Sequence, residues 1–589
     1  MNATRPVFLR TQSLLFSIFM VAVLTASTHA LPRKPARGQA VAPPQTSPSP
    51  LLATMRAELD RNMPVLGHAS PPAYFINYTL TQSRRAQVMG SNGALLDSSE
   101  NLNRFLEVQV RVGSYEVDNT HKVGGDQPGQ SNPGAVAVPL EDDPVVLRRA
   151  IWLETDKQYR SAAEALVRIQ TNKEVQVQSA EEGAADFSKE KPQKFYGLDA
   201  SYQLDRKPWE QKVRDYTAYF RQSSDIINSI VTFTAQAQNQ YQVNSEGTQL
   251  QFGQVRFRLE LFIQGKAPDG MNLDRYYNFD WVDAGEQPTD DAVFAAEKTM
   301  RAELEGLVKA PLVEPYAGPS MLTGRAAAVF FHEVFGHRDE GFRQKDSNEG
   351  QTFARKVGES IMPSFITIVD DPTKARLNKL VLLGSYPYDD EGVPSQRVLL
   401  VDKGVLRNFE MSRQTLKEFP ASNGHGRRQP GAAPVSRQGN LIVESSNKVS
   451  NAELRRLFIE EIKKQGKTFG LLIDDIAGGF TFTGRGQPQA FQVEPLVVYK
   501  VYADGRPDEL VRGVDIVGTP LLSLTKIVAT GDTNEVFNGY CGAESGSVPV
   551  SASAPPMLIT EMEVQKKGSS TDRPPVLPPP AHDHSGAKQ

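Results

Sequence analysis

Two imidazoles flank a carboxylate in the stretch Phe330-Phe331-His332-Glu333-Val334-Phe335-Gly336-His337-Arg338-Asp339-Glu340-Gly341. Neutral imidazoles bind zinc, and a neighbouring carboxylate can take a proton from water. This is the donor set of a hydrolytic zinc centre. In the familiar H-E-x-x-H spacing the two His stand at i and i+4 on one helix face. Here they stand at i and i+5, roughly 140° apart on a regular α-helix, too far around for both rings to reach one ion. The spacing therefore predicts a distorted helix. Either a π-bulge inserts one residue, or the helix ends near Gly336 and His337 bends back. The competing reading is a pair of surface or core histidines on an amphipathic helix. With only eight His in 589 residues, two of them bracketing a Glu after an apolar run, the metal reading is preferred.

Other residues invite the same question. Cys541 is the one cysteine, so no internal disulfide framework exists. It is either a small buried hydrophobe or a thiolate ligand. Glu340, three residues past His337, is a candidate partner for a ligand imidazole, or a solvated carboxylate. The acidic run Asp389-Asp390-Glu391 is a candidate cation site or a capped turn. Arg427 and Arg428 are candidates to hold a peptide carboxylate, against a plain exposed loop. His582 and His584 sit in a Pro-rich polar tail, 568–589, that reads as disordered.

These groups need elements to hold them. A site helix is expected over about 322–337, after Pro319. Beyond it, short runs punctuated by Gly and Pro read as strands at 365–369, 396–401, 470–474, 491–502 and 511–516, with one amphipathic helix at 452–464. Before it, helices are expected at 51–61, 143–170, 209–227 and 289–309. Strands are expected at 74–81, 105–112, 230–235, 240–244 and 254–264, with a hairpin turn at 244–247. The fold class is therefore α+β. An N-terminal α/β domain (50–310) has antiparallel strands and covering helices, and a C-terminal β-rich, sandwich- or barrel-like domain (311–567) carries the metal-site helix at the junction.

Arg5 and Arg10 precede the apolar run 14–24, and small residues lead to Ala30. This is the pattern of a secretory signal peptide over 1–30, followed by a Pro-rich linker at 31–49. An uncleaved anchor is the alternative, and the expected location is secreted or periplasmic. With Lys+Arg 65 against Asp+Glu 69 the formal charge is −4, and no basic patch points to nucleic acid.

Four stretches together resemble the TldD/PmbA family of metallopeptidases, also called modulators of DNA gyrase: Gly318-Pro319 with the His-Glu box; Asp389-Asp390-Glu391-Gly392-Val393-Pro394-Ser395; Asn423-Gly424-His425-Gly426-Arg427-Arg428; and Cys541-Gly542 leading to Val548-Pro549-Val550. The resemblance covers about 311–566 well and 50–310 weakly. It implies one zinc per chain, held by His332, His337 and Cys541, with Glu333 as general base. It also implies hydrolysis of small peptides or unfolded chains, and a homodimer or a pairing with a TldE-like subunit. Members without the box are non-catalytic partners, so a peptide-binding or scaffold subunit is the alternative function; a metal-dependent amidase or esterase would share the same site. Well-known members lack an export signal, so their roles do not carry over.

Overall fold

The computed structural model describes residues 47–121, 134–173, 184–346, 348–485, 491–568 and 573–575. The expected signal peptide, most of the linker and most of the tail lie outside them.

The N-terminal region is built on one seven-stranded sheet. Its long strands are Ala73–Ser91, Ala94–Val112, Ile226–Asn244, Gln249–Lys266 and Asn272–Trp281. Asn92-Gly93, both at positive φ, close the first hairpin, as a tight two-residue turn requires. Alternation along the strands makes one face apolar. Ile76, Tyr78, Ala86, Val88, Val231, Phe233, Tyr241 and Val243 all belong to its two core clusters. Four helices cover that face: Pro50–Gly67, Pro144–Lys173, Arg206–Tyr219 and Asp290–Lys309. Ser49 and Thr289 cap the first and last by accepting backbone N–H bonds from Leu52 and Ala292.

The opposite face is rich in Gln, Asn and Arg, and it docks on the C-terminal region. Gln242 and Gln254 donate to the carbonyls of Asp390 (3.4 Å) and Ser385 (3.0 Å), and Arg258 to that of Asn538 (3.3 Å). Glu246, in the turn after Asn244, accepts from Arg413 at 2.7 Å.

The C-terminal region holds a closed barrel and a second sheet. In the barrel, Tyr316–Leu322 pairs in parallel with Phe469–Thr481, which pairs with Phe491–Tyr502. The ring continues through Val514–Gly518 to Met557–Lys566, which returns to Tyr316–Leu322. Pro319 lies in the first of these strands, opposite a register shift between Ile559 and Met562 that asks no N–H of it. The second sheet has six strands, ending in Asn440–Ser445, Gly546–Ala554 and Glu535–Ala543.

The site helix, Gly324–Phe331, packs between the barrel strand Phe469–Thr481 and the two last strands of the sheet. It is apolar all round from Ala326 to Phe331 and buried throughout, as such a helix must be. Thr323 fixes its start: its hydroxyl accepts from the Ala326 N–H and donates to the Asp474 carbonyl at 2.6 Å.

Candidate metal centre

After Phe331 the helix changes pitch. Residues His332–Gly336 form one π turn, and the His337 N–H donates to the His332 carbonyl five residues back. The inserted residue brings the two imidazoles to one side, their ring centroids 4.9 Å apart. Gly336 serves here through close approach: a Cβ on it would stand 2.1 Å from Gln438 Oε1. Its backbone has an ordinary helical φ of −56°. Gln438 Nε2 in turn donates to the His332 carbonyl at 3.4 Å.

Cys541 reaches the same point from the hairpin Glu535–Ala543/Gly546–Ala554. Its Sγ is 3.3 Å from His337 Nε2, and one ligand atom each from His332, His337 and Cys541 lie within 4.8 Å of one another. All three side chains are buried. Zinc–ligand bonds of about 2.0–2.3 Å set neighbouring donors on one tetrahedral ion roughly 3.3–3.8 Å apart; the Cys541–His337 pair meets that spacing, and the donor types of all three suit the ion. The charges fit as well. Burial opposes a thiolate, but the two imidazoles outweigh it and hold Cys541 well below the usual thiol range. Burial likewise opposes an imidazolium at His337, and Cys541 and Glu340 outweigh it in the other direction.

Glu333 stands beside the cluster, its Oε2 4.0 Å from His337 Nε2 and its side chain largely buried. Gly479 of the barrel strand lies directly against it. Glu340 is fully buried, with Oε1 3.3 Å from His337 Nδ1 and Oε2 accepting from Arg343 Nε at 2.8 Å. Burial would raise its pKa, yet Arg343 and His337 hold it down at about 2. It is thus an ionised partner of a candidate ligand imidazole.

Arg427 and Arg428 correct an expectation. Arg427 is buried, its guanidinium 4.6 Å over the Tyr386 ring and donating to the Gln438 carbonyl. Arg428 pairs with Glu107 of the N-terminal sheet. Both are engaged in structural contacts and neither is held open for a substrate carboxylate. The acidic run is a capped turn: Asp389 accepts from the N–H groups of Glu391, Val393 and Gly426, and Asp390 from that of Arg428. Gly479, Arg343 and Arg437 had no sequence signal beyond the glycine pair Gly478-Gly479. Their importance comes from where distant segments meet.

Residues 317–566 match the PmbA/TldA metallopeptidase C-terminal domain. A metalloprotease of Archaeoglobus fulgidus is 31% identical over 253 residues, 42% of this chain and 54% of that protein. A metalloprotease TldD homologue of Haemophilus influenzae is 29% identical over 284 residues, 46% of this chain and 53% of that one. The matched stretch thus spans about half the length of these relatives. The crystal structure of TldE from Thermococcus kodakarensis superposes with a TM-score of 0.55 over 87% of this chain and 100% of that one. At 13% identity this likeness is one of fold.

Proposed function

We propose that this chain, whose residues 317–566 match the PmbA/TldA metallopeptidase C-terminal domain, is an exported zinc-dependent peptidase. Its substrates would be small peptides or unfolded polypeptides. The observation that carries this reading is the convergence of His332, His337 and Cys541 with a carboxylate, Glu333, alongside. A purely structural metal site needs no such base, which argues against a scaffold role.

Three protein donors would hold the ion and leave one position open. Zinc bound there would polarise the scissile carbonyl and lower the pKa of water toward about 7. Glu333 takes the proton from the attacking water and passes it to the leaving amine. Its seat between the π turn and Gly479 keeps it from swinging away. Glu340 places its negative charge 3.3 Å from His337 Nδ1, which favours a proton on that nitrogen and leaves Nε2 to face the cluster.

The stretch 476–481 pairs with 491–495 on one side, while the parallel pairing with Tyr316–Leu322 ends at Ile473. An extended peptide added along the side left unpaired among the described residues would run near Glu333, which suits recognition by main-chain hydrogen bonds. The basic, apolar N-terminus supports export with cleavage after Ala30; Edman sequencing of the mature protein tests it. Assembly as a homodimer, or with a TldE-like subunit, is the accompanying expectation, read by light scattering.

The central experiment is Glu333→Gln. The variant should keep about one zinc per chain and bind an unstructured peptide, while turnover falls by roughly 10²–10⁴. Unchanged turnover would refute the assignment. A parallel ester and amide panel separates peptidase from wider acyl hydrolysis.

A further inference from the structure

Arg437 lies in the loop that leads into Asn440–Ser445 and has no exposed surface. Its guanidinium faces two elements at once. Nη2 donates to the Cys541 carbonyl at 2.7 Å, and Nη1 donates to Ser545 Oγ at 2.9 Å and the Gly546 carbonyl at 3.0 Å. These three acceptors are the two arms and the turn of the hairpin that carries the thiol. On the other side, Nε lies 3.4 Å from Glu340 Oε1, the oxygen that faces His337 Nδ1. A continuous path therefore runs from one candidate ligand to another: His337, Glu340, Arg437, and the backbone of Cys541.

A second strap runs parallel to the first. Arg343 takes the other Glu340 oxygen, Oε2, at 2.8 Å and grips Glu544, in the turn of the same hairpin, through both nitrogens at 3.0 and 2.8 Å. Glu340 thus receives a guanidinium on each side, and both guanidiniums hold the hairpin. The next residue along, Gln438, braces the π turn at His332. The hairpin also meets the start of the site helix, where the Arg325 N–H donates to Glu535 Oε2 at 3.0 Å and the Arg325 guanidinium lies 5.6 Å from the Phe537 ring centroid, whereas Arg437 and Arg343 hold it at Cys541 and its turn.

We infer that Arg437 is a positioning residue that sets the distance between Cys541 and His337 before any ion binds. The physical need is plain. The two donors are 204 residues apart in sequence and sit on separate elements. An ion that had to draw them together would spend part of its binding free energy on ordering the hairpin. A planar, always-charged fork whose two terminal nitrogens are already engaged on the hairpin reduces that cost, and a lysine cannot span the same set of acceptors. The inference rests on the zinc reading of the cluster.

The test compares wild type with Arg437→Lys, Arg437→Gln and Ser545→Ala. Zinc affinity is read by competition with a chromophoric chelator, and ligand geometry by the thiolate-to-metal absorption of the cobalt-loaded protein. Circular dichroism and the melting temperature of the zinc-free form report folding. Arg437→Lys, which keeps the charge, should stay folded, weaken zinc ten- to a hundredfold and alter the cobalt–thiolate band. Arg437→Gln should be at least as weak. Ser545→Ala, which removes one hydrogen bond and no charge, should lose about fivefold and remains informative if the arginine variants misfold. Folded variants with wild-type zinc affinity and wild-type cobalt spectra would overturn the inference alone. Failure of the wild-type chain to take up zinc would overturn the metal reading, and this inference with it.

Discussion

Gly479 and Glu333 are in contact with no room between them: a Cβ on Gly479 would stand 2.2 Å from Glu333 Cγ. Its neighbour Gly478 faces open space. Gly479→Ala should therefore push the carboxylate aside while leaving the three candidate ligands in place. The expected result is a loss in kcat/KM on the order of 10², with zinc content and melting temperature close to wild type. Gly478→Ala is the matched control and should behave as wild type. Equal activity in both variants would mean that the strand does not seat Glu333.

Removing the thiol should disconnect the metal from the fold. Cys541→Ser and His337→Ala should each lose most of the bound zinc. Anything that binds the native state alone raises its stability, so zinc should raise the melting temperature of the wild type and a chelator should lower it again. Neither response should survive in Cys541→Ser. A parent protein without zinc, or a Cys541→Ser variant that keeps it, would break the three-donor reading.

The pair Arg428–Glu107 joins the two halves of the chain, and both partners are buried. Arg428→Met strands a buried carboxylate and should cost roughly 3–5 kcal/mol in denaturant unfolding. Replacing Glu107 by Leu in the same protein should recover most of that. Peptide KM should stay put in any variant that remains folded. A large rise in KM with unchanged stability would restore the substrate-binding role that the sequence suggested for this arginine.

Glu297, on the helix Asp290–Lys309, is buried with neither carboxylate oxygen hydrogen-bonded among the described residues. Burial raises its pKa from 4.5 to about 9. The folded state then binds the proton more tightly than the unfolded chain. Stability from this group is complete below about pH 4.5 and is lost as pH rises toward 9. Glu297→Met should leave stability near pH 4.5 unchanged and add about 2–5 kcal/mol at pH 8.5 in urea titrations. A gain of the same size at both pH values would contradict the shift.

The sequence made the chemistry more legible than the packing. The i, i+5 spacing of His332 and His337 demanded a non-α turn, and the π turn His332–Gly336 supplies it. The role of Gly336 was not legible, because the reason is Gln438, about a hundred residues on. Cys541 became a candidate only through scarcity and resemblance. The single strand Ile226–Asn244 reads in the sequence as two, 230–235 and 240–244, and Gln249–Lys266 reads short, as 254–264. The run Gln236-Ala237-Gln238-Asn239-Gln240 has weak strand propensity, but in the sheet Gln236, Gln238 and Gln240 share the face of Gln242, which docks on the C-terminal region, while Asn239 on the other face bonds the Ala200 backbone. The helix expected to reach residue 227 stops at Tyr219, where Ile226 and Ile227 are recruited into a strand. Tyr316–Leu322 went unread because Gly318 and Pro319 look like breakers and the shifted register that tolerates them cannot be seen locally. Arg437 and Arg343 illustrate the wider limit: a buried guanidinium has meaning only through the segments it joins.

The barrel closes only when Met557–Lys566 returns to Tyr316–Leu322, the strand that leads into the site helix. During synthesis His337 leaves the ribosome 204 residues before the thiol, with His332 ahead of it, and the closing strand follows later still. Pairings so distant in sequence form slowly. The nascent chain therefore passes most of its elongation with the candidate ligands apart. The candidate centre can therefore be complete only near the end of synthesis, with its three donors assembling late and together.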